Sequence, residues 1–228
     1  MTKRFTTLLA TIGLTLAGVA VAPAAQADAR CTITNFSPRS VVVGLTPIVK
    51  TFKVSTTGCS LRSWTLQTSG FDFYVYPGSP QEDFDPWSNS EANAKEIIVS
   101  ADNADWAESK KVFPDGFSLL RRTTWQSGTF NASPEPVRKG APVSITGRLL
   151  VVDWDNEKYV PYAGRSISVQ FRTPTGAYAT VKKATKDKNG WVRTTVPATA
   201  TGVWRVSYGG NTTAGSSLTV GDAVTVTR

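Results

Sequence analysis

Strict alternation of apolar and polar residues is the clearest pattern in the chain. Residues 166–172 place isoleucine, valine and phenylalanine on one face, and serine, glutamine and arginine on the other. Residues 203–208 repeat the pattern with tryptophan, valine and tyrosine. A period of two is typical of a strand with one buried face. Further strands are predicted in this half at residues 144–152, 178–185, 191–196 and 223–226.

The first half of the chain follows the same pattern. Strands are predicted at residues 40–43, 48–55, 61–68, 71–76, 95–100 and 117–124, and one short helix at residues 102–111. Glycine, proline and asparagine separate these segments, and no long helical period interrupts them. Short strands at this spacing predict an all-β chain built from β-sandwiches.

A change in composition divides the chain near residues 126–139. This stretch contains Gly128, Pro134, Pro136 and several small polar residues. Six or seven predicted strands lie on each side, which is enough for one sandwich of about 100 residues apiece. We therefore predict an N-terminal domain at residues 28–125, a linker at 126–133 and a C-terminal domain at 134–228.

Motifs of the second half resemble bacterial immunoglobulin-like modules of exported and surface proteins, common in high-GC Gram-positive bacteria. The matching stretches are residues 131–140 (NASPEPVRKG), 145–149 (ITGRL), 153–154 (DW), 162–165 (YAGR), 169–172 (VQFR), 190 (G), 202–205 (GVWR) and 208–210 (YGG). The resemblance implies tandem immunoglobulin-like β-sandwich domains and an extracellular location. It implies no defined activity, although the names of some members suggest calcium binding.

Residues 1–27 have the features of a secretory signal peptide. Lys3 and Arg4 form a basic start, an uncharged apolar run follows, and the small-x-small triplet at residues 25–27 precedes Asp28. The apolar run is short and broken by threonine and glycine, which favours cleavage over a membrane anchor. The sequence around Cys31 is polar and does not indicate lipidation. We expect a secreted monomer, extracellular or loosely wall-associated, with no membrane contact after cleavage.

The charge of the chain limits the classes of partner that we expect. The formal net charge is +8, of which Lys3 and Arg4 belong to the leader. A basic exported protein is drawn to anionic surfaces, and solubility is the alternative explanation of the charge. Its basic pairs are scattered along the chain, so nucleic acid is not an expected partner.

Cys31 and Cys59 are the only cysteines, and in an exported chain they predict one disulfide, with two free thiols as the alternative.

The residue inventory excludes much catalytic chemistry. The chain contains no histidine, which removes Ser-His-Asp and Cys-His nucleophile activation and histidine-based zinc sites. It also contains no Gly-x-Ser-x-Gly, Ser-x-x-Lys or Gly-Lys sequence. Only a pair of carboxylates could support hydrolysis of a glycan. We therefore predict that the protein is not an enzyme.

One loop of the second half concentrates polar and aromatic side chains. Its candidate ligand-binding residues are Asp153, Trp154, Asp155, Asn156, Glu157, Tyr159 and Tyr162. The carboxylates of Asp153, Asp155 and Glu157 are candidate calcium ligands, because calcium prefers clustered oxygens. Trp154 is instead a candidate platform for a sugar ring. A polar connection without a ligand remains an alternative, in which case the acidic loop at residues 81–91 becomes the candidate.

Together these features predict a secreted, non-catalytic binding or structural module of the extracellular space or cell wall. Its partner would be a wall polymer, a glycan or a surface protein. A calcium-binding extracellular module is the second interpretation, with calcium as its only candidate cofactor. A carboxylate-dependent, glycan-active enzyme is the third.

Overall fold

The computed structural model describes residues 28–68 and 73–228. The predicted signal peptide and the start of the predicted strand at residues 71–76 lie outside the described residues. The strands are β1 (Thr32–Ser37), β2 (Ser40–Val43), β3 (Ile48–Thr51), β4 (Lys53–Thr57), β5 (Leu61–Thr68), β6 (Tyr74–Val75), β7 (Gln81–Phe84), β8 (Asn93–Asn103), β9 (Glu108–Arg121), β10 (Thr123–Trp125), β11 (Asn131–Ser133), β12 (Val137–Arg138), β13 (Pro142–Asp153), β14 (Lys158–Pro161), β15 (Ser166–Arg172), β16 (Ala179–Thr185), β17 (Trp191–Pro197), β18 (Gly202–Tyr208), β19 (Ser217–Leu218), β20 (Asp222–Val224) and β21 (Val226–Thr227). A 3₁₀ turn spans Asn89–Glu91.

The first half is built around a five-stranded sheet. Its strands follow the order β2-β9-β8-β5-β6, in which β2 and β9 are parallel. Two small antiparallel sheets, β1–β4 and β3–β7, cover it. The core between them is rich in phenylalanine, and the rings of Phe52, Phe73, Phe84 and Phe117 contact one another. Burial of aromatic rings supplies much of the apolar area that stabilises such a core.

The second half contains two five-stranded sheets that face each other and a small parallel sheet of β12 and β21. One contains β10, β11, β13, β14 and β17, and the other contains β15, β16, β18, β19 and β20. In β18 every second residue is buried, so the predicted alternation is confirmed. Trp204 and Val206 point from this strand into the second core. The all-β, two-sandwich fold class follows from these sheets and cores.

A disulfide joins Cys31 and Cys59, as the sequence predicted. It ties the first described strand region to the turn after β4. Closing a loop of this size stabilises the folded chain by roughly 3–4 kcal/mol, mainly by restricting the unfolded chain. The bond therefore holds an N-terminal segment that would otherwise fray.

Two local features differ from the sequence-based expectation. The predicted helix at residues 102–111 is wrong, because this segment is the turn of the β8–β9 hairpin, where Trp106 has a φ of 62°. In addition, β10 and β11 both pair with β13 of the second half. The chain therefore crosses from one core to the other at Arg122, upstream of the predicted linker.

The junction between the halves is hydrogen-bonded. The amide of Val152 donates to the carbonyl of Arg122, and the Arg121 side chain donates to the carbonyl of Val152 at 2.7 Å. Arg121 also exchanges backbone bonds with residues 213–215. Among the described residues, no helix is long and apolar enough to cross a membrane.

Candidate binding cleft between the two halves

The turn that follows β13 is inserted into the first half of the molecule. Trp154 is only 4% exposed, and with Val152 it belongs to the core of the first half. Its indole Nε1 donates a hydrogen bond to the carbonyl of Gly44 at 3.0 Å. Burial of the indole leaves no open ring face for a sugar. From this position Trp154 holds the turn in place.

Asn89 fixes the same turn from the other side. Its side-chain amide donates to Asp153 and to Asp155, each at 2.6 Å. Its side-chain oxygen accepts from the Trp154 amide at 3.0 Å. Its own backbone amide donates to Asp155. The capping box formed by Ser88 and Glu91 sets the 3₁₀ turn that presents Asn89.

These contacts change the acidity of Asp153. The Asn89 amide, and after it the Asn156 amide, donate to the carboxylate and hold the pKa of Asp153 below its ordinary value. Asn156 makes its bond at 3.0 Å. Asp153 is therefore a carboxylate engaged in holding the turn and the junction.

The other predicted binding residues are divided between the two halves. Asp155, Asn156 and Glu157 are exposed at the tip of the turn. Tyr159 is half-buried and packs against the core of the first half. Tyr162 is buried in the second core, where its hydroxyl accepts from Asn211 at 3.0 Å. The seven residues therefore do not form one surface.

Calcium binding stays a prediction. In the part of the chain that the structure describes, no three or more aspartate, glutamate, histidine or cysteine side chains are grouped to hold a metal ion. A cation between Asp153 and Asp155 would have to displace the Asn89 amide. The test is therefore whether calcium can compete with this existing amide donor.

An open cleft of about 710 Å³ lies beside the buried Trp154, where the two halves meet. Residues of both halves line it: Gly44, Leu45, Asp85, Pro86, Trp87, Trp154, Asp155 and Glu157. Trp87 is 85% exposed, so nearly all of its indole is open to solvent. The lining carries three carboxylates and neither lysine nor arginine.

The cleft unites two loops that the sequence indicated separately. Residues 153–162 were the first candidate and contribute Asp155 and Glu157 to the lining, and residues 81–91 were the second and contribute Asp85. Sequence reasoning missed Gly44 and Leu45. A glycine and an exposed leucine after β2 carry no chemical signal by themselves. Only the burial of Trp154 against Gly44 shows that this segment forms one wall.

The cleft combines an open aromatic face, apolar contacts and acceptor oxygens. Such a surface can bind a ligand that has an apolar face and hydrogen-bond donors at its edges. Since the chain has no histidine, the cleft contains no imidazole for proton transfer. The arrangement is suited to recognition.

Comparisons with known proteins give little similarity. No protein-family model matches the chain, and no curated protein matches it. The chain is similar in structure to fibronectin(III)-like modules of CbhA from Clostridium thermocellum, with 10% identity, coverage of 86% of this chain and 92% of that chain, and a TM-score of 0.36. It is also similar to the three N-terminal domains of the outer capsid protein Hoc of bacteriophage RB49, with 9% identity, coverage of 87% and 71%, and a TM-score of 0.34. For the D00-D0 domain of intimin the values are 12%, 83% and 98%, and 0.32. The fold described above therefore rests on the chain's own sheets and cores.

Proposed function

We propose that this protein is a secreted, non-catalytic binding module that holds a glycan of the cell wall or extracellular space in the cleft between its two halves. The observation that carries the proposal is Trp87, whose indole is 85% exposed at a cleft lined by both halves. The exposed indole offers a large apolar surface that a partner can cover. Tryptophan is also among the residues that contribute most to binding energy.

A sugar ring fits the chemistry of this lining. One face of a sugar is apolar and can stack on the indole of Trp87. Its hydroxyl groups can donate to the carboxylates of Asp85, Asp155 and Glu157. The contacts of Asn89 and Trp154 hold the turn rigidly before the ligand arrives, which reduces the entropy that binding must overcome.

Export supports the same assignment. Residues 1–27 have the sequence features of a cleaved leader, and the Cys31–Cys59 disulfide is typical of proteins outside the cytoplasm. Mass spectrometry of the protein recovered from a secreting host should give a mature chain that begins at Asp28. An intact leader on the recovered protein would contradict this part of the proposal.

A binding screen tests the cleft. The intact protein is applied to immobilised wall polysaccharides and glycan oligomers, and Trp87→Ala and Trp106→Ala are compared for each ligand retained. Trp106 is the matched control, since it is 63% exposed but lies on the β8–β9 hairpin with Arg62 over its ring. We expect Trp87→Ala to weaken binding by about tenfold or more and Trp106→Ala to have little effect. Equal losses in both variants, or no retained glycan, would overturn the proposal.

A further inference from the structure

A second surface of the molecule is formed by adjacent strands that carry several cations. Strands β15, β16 and β18 are adjacent in one sheet, and their sequences contain four basic residues and no aspartate or glutamate. These residues are Arg172, Lys182, Lys183 and Arg205. This sheet lies in the second half and contributes no residue to the lining of the cleft.

Strand register assigns three of the four cations to the outer face of this sheet. Phe171 pairs with Trp204, and both rings point inward with centroids 4.6 Å apart. Their neighbours Arg172 and Arg205 therefore point outward. Lys183 pairs with Ser168, which is also on the outer face. Lys182 is different, because its ammonium donates to the carbonyl of Thr195.

The two arginines are held in defined positions. The guanidinium of Arg205 lies 3.7 Å from the centre of the Tyr178 ring, and that of Arg172 lies 5.2 Å from it. Arg205 Nε also donates to the side chain of Gln170 at 2.7 Å. The Arg172 side chain donates to the carbonyl of Pro174. Cation–π contact and hydrogen bonding reduce the entropy that each long side chain would lose on binding.

Among the described residues, neither arginine forms an ion pair with a carboxylate. The ion pair found in the second half joins Arg193 to Asp187. The remaining guanidinium donors of Arg172 and Arg205 are therefore available to an external anion. The same face carries hydroxyl groups beside the cations, because Ser168 pairs with Lys183 and with Ser207, and Thr180 pairs with Gln170 next to Arg205. Arginine and hydroxyl side chains are together typical of phosphate contacts.

We propose that this face binds a linear polyanion that carries regularly spaced phosphate groups and no aromatic bases. Lys183 and Arg205 lie on the two strands that flank β15, which itself carries Arg172, and this distribution over three strands favours a chain over a single ion. A nucleic acid fits less well, because single-strand binding relies on aromatic platforms and both guanidinium groups already lie over Tyr178. The polymer would be an anionic component of the same surroundings in which the cleft acts.

Titration with inorganic polyphosphate tests this site. Binding to the intact protein should weaken with salt, because counterions are released from the polyanion. Arg172→Gln with Arg205→Gln should weaken binding by about tenfold and lower the salt slope by about two. The matched control is Arg138→Gln with Lys139→Gln, which removes the same charge from two exposed positions elsewhere in the second half. Circular dichroism establishes that both variants are folded.

Poly-glutamate and a thymidine oligonucleotide of matched charge complete the experiment. We expect poly-glutamate to bind more weakly than polyphosphate. We expect the oligonucleotide to bind no more tightly than polyphosphate when affinity is compared per phosphate group. An equal loss of polyphosphate binding in the control variant would show a general effect of charge and would overturn the assignment of the site to this face. Equal binding of poly-glutamate would overturn the phosphate assignment, and tighter binding of the oligonucleotide would overturn the exclusion of bases.

Discussion

The indole of Trp154 donates a hydrogen bond to the carbonyl of Gly44 at 3.0 Å, across a separation of 110 residues. Through this bond a side chain of the second half belongs to the core of the first half. The two halves consequently share apolar surface as well as a covalent connection. A shared core of this kind restricts relative motion of the halves and preserves the shape of the cleft.

Trp154→Phe should destabilise the protein although it keeps an aromatic ring. The change removes the bond to Gly44 and leaves space beside the first core, which together should lower the free energy of unfolding by roughly 1–3 kcal/mol. Urea denaturation followed by circular dichroism measures it. Trp87→Phe is the control, and because Trp87 is exposed it should change stability by less than about 0.5 kcal/mol. Similar losses in both variants would contradict the assigned burial.

Asn89→Ala should uncouple the two halves. It removes the amide that joins Asp153 to Asp155 and leaves two carboxylates facing each other, at a cost of roughly 1–3 kcal/mol. Calorimetry should then show two separate transitions, whereas we expect one transition for the unchanged protein. Asn156→Ala removes only the bond to Asp153 and serves as the control. A single unshifted transition in Asn89→Ala would mean that the hydrogen bonds of Asn89 contribute nothing to the coupling of the two halves.

Acid should weaken the same junction. Donation from Asn89, and then from Asn156, lowers the pKa of Asp153 below its ordinary value of 3.8. A lowered carboxylate pKa adds stability above the pKa of the unfolded chain, and this stability is lost as pH falls through the folded pKa. The melting temperature should therefore fall below about pH 4, and Asn89→Ala should show a shallower fall. Parallel curves for the two proteins would contradict this linkage.

The disulfide should contribute a measurable share of stability. Cys31→Ala with Cys59→Ala should lower the free energy of unfolding by roughly 3–4 kcal/mol, because the unfolded chain loses a constraint. Alanine is preferred to serine because Cys31 is 5% exposed in the first core. A reducing agent should destabilise the unchanged protein and leave the double variant unaffected. A reductant effect on the double variant would show that the loss has another origin.

Local patterns predicted the strands well because burial alternates along them. Strands β15 and β18 lie within one or two residues of their expected positions. The predicted helix at residues 102–111 was wrong, since its polar residues fit a hairpin turn equally well. The site was only half predicted. Composition indicated the loops at residues 81–91 and 153–162. That the two loops lie side by side depends on contacts between distant residues, such as Asn89 with Asp153, which are 64 residues apart.

The same reason explains the basic face on the second half. Arg172, Lys183 and Arg205 are far apart in sequence and form no charge run. They approach one another only because β15 pairs with both β16 and β18. Charge patterning along a sequence detects stripes on one element, whereas this surface is assembled across three.

Lys186 is an unusual feature of the second core. It is 3% exposed, and its ammonium has no hydrogen-bond partner. The rings of Tyr162 and Tyr208 lie 5.2 Å and 4.9 Å from it. Burial, with a smaller effect of Arg165, lowers the pKa of Lys186 to about 7. Burial also raises the pKa of the adjacent Tyr208, with a further contribution from Tyr162.

Replacing this lysine should therefore stabilise the protein. The ordinary pKa of 10.5 applies to the unfolded chain, so between about pH 7 and that value the unfolded chain holds a proton that the folded chain has released. Stability should consequently rise with pH through this window. Lys186→Met should raise the free energy of unfolding at pH 7 by roughly 1–3 kcal/mol and flatten the rise. Urea denaturation at several pH values between 6 and 10 measures both effects, with the exposed Lys188→Met as the control. A variant that is less stable than the unchanged protein at pH 7 would show that the charged lysine is held favourably by the two tyrosine rings.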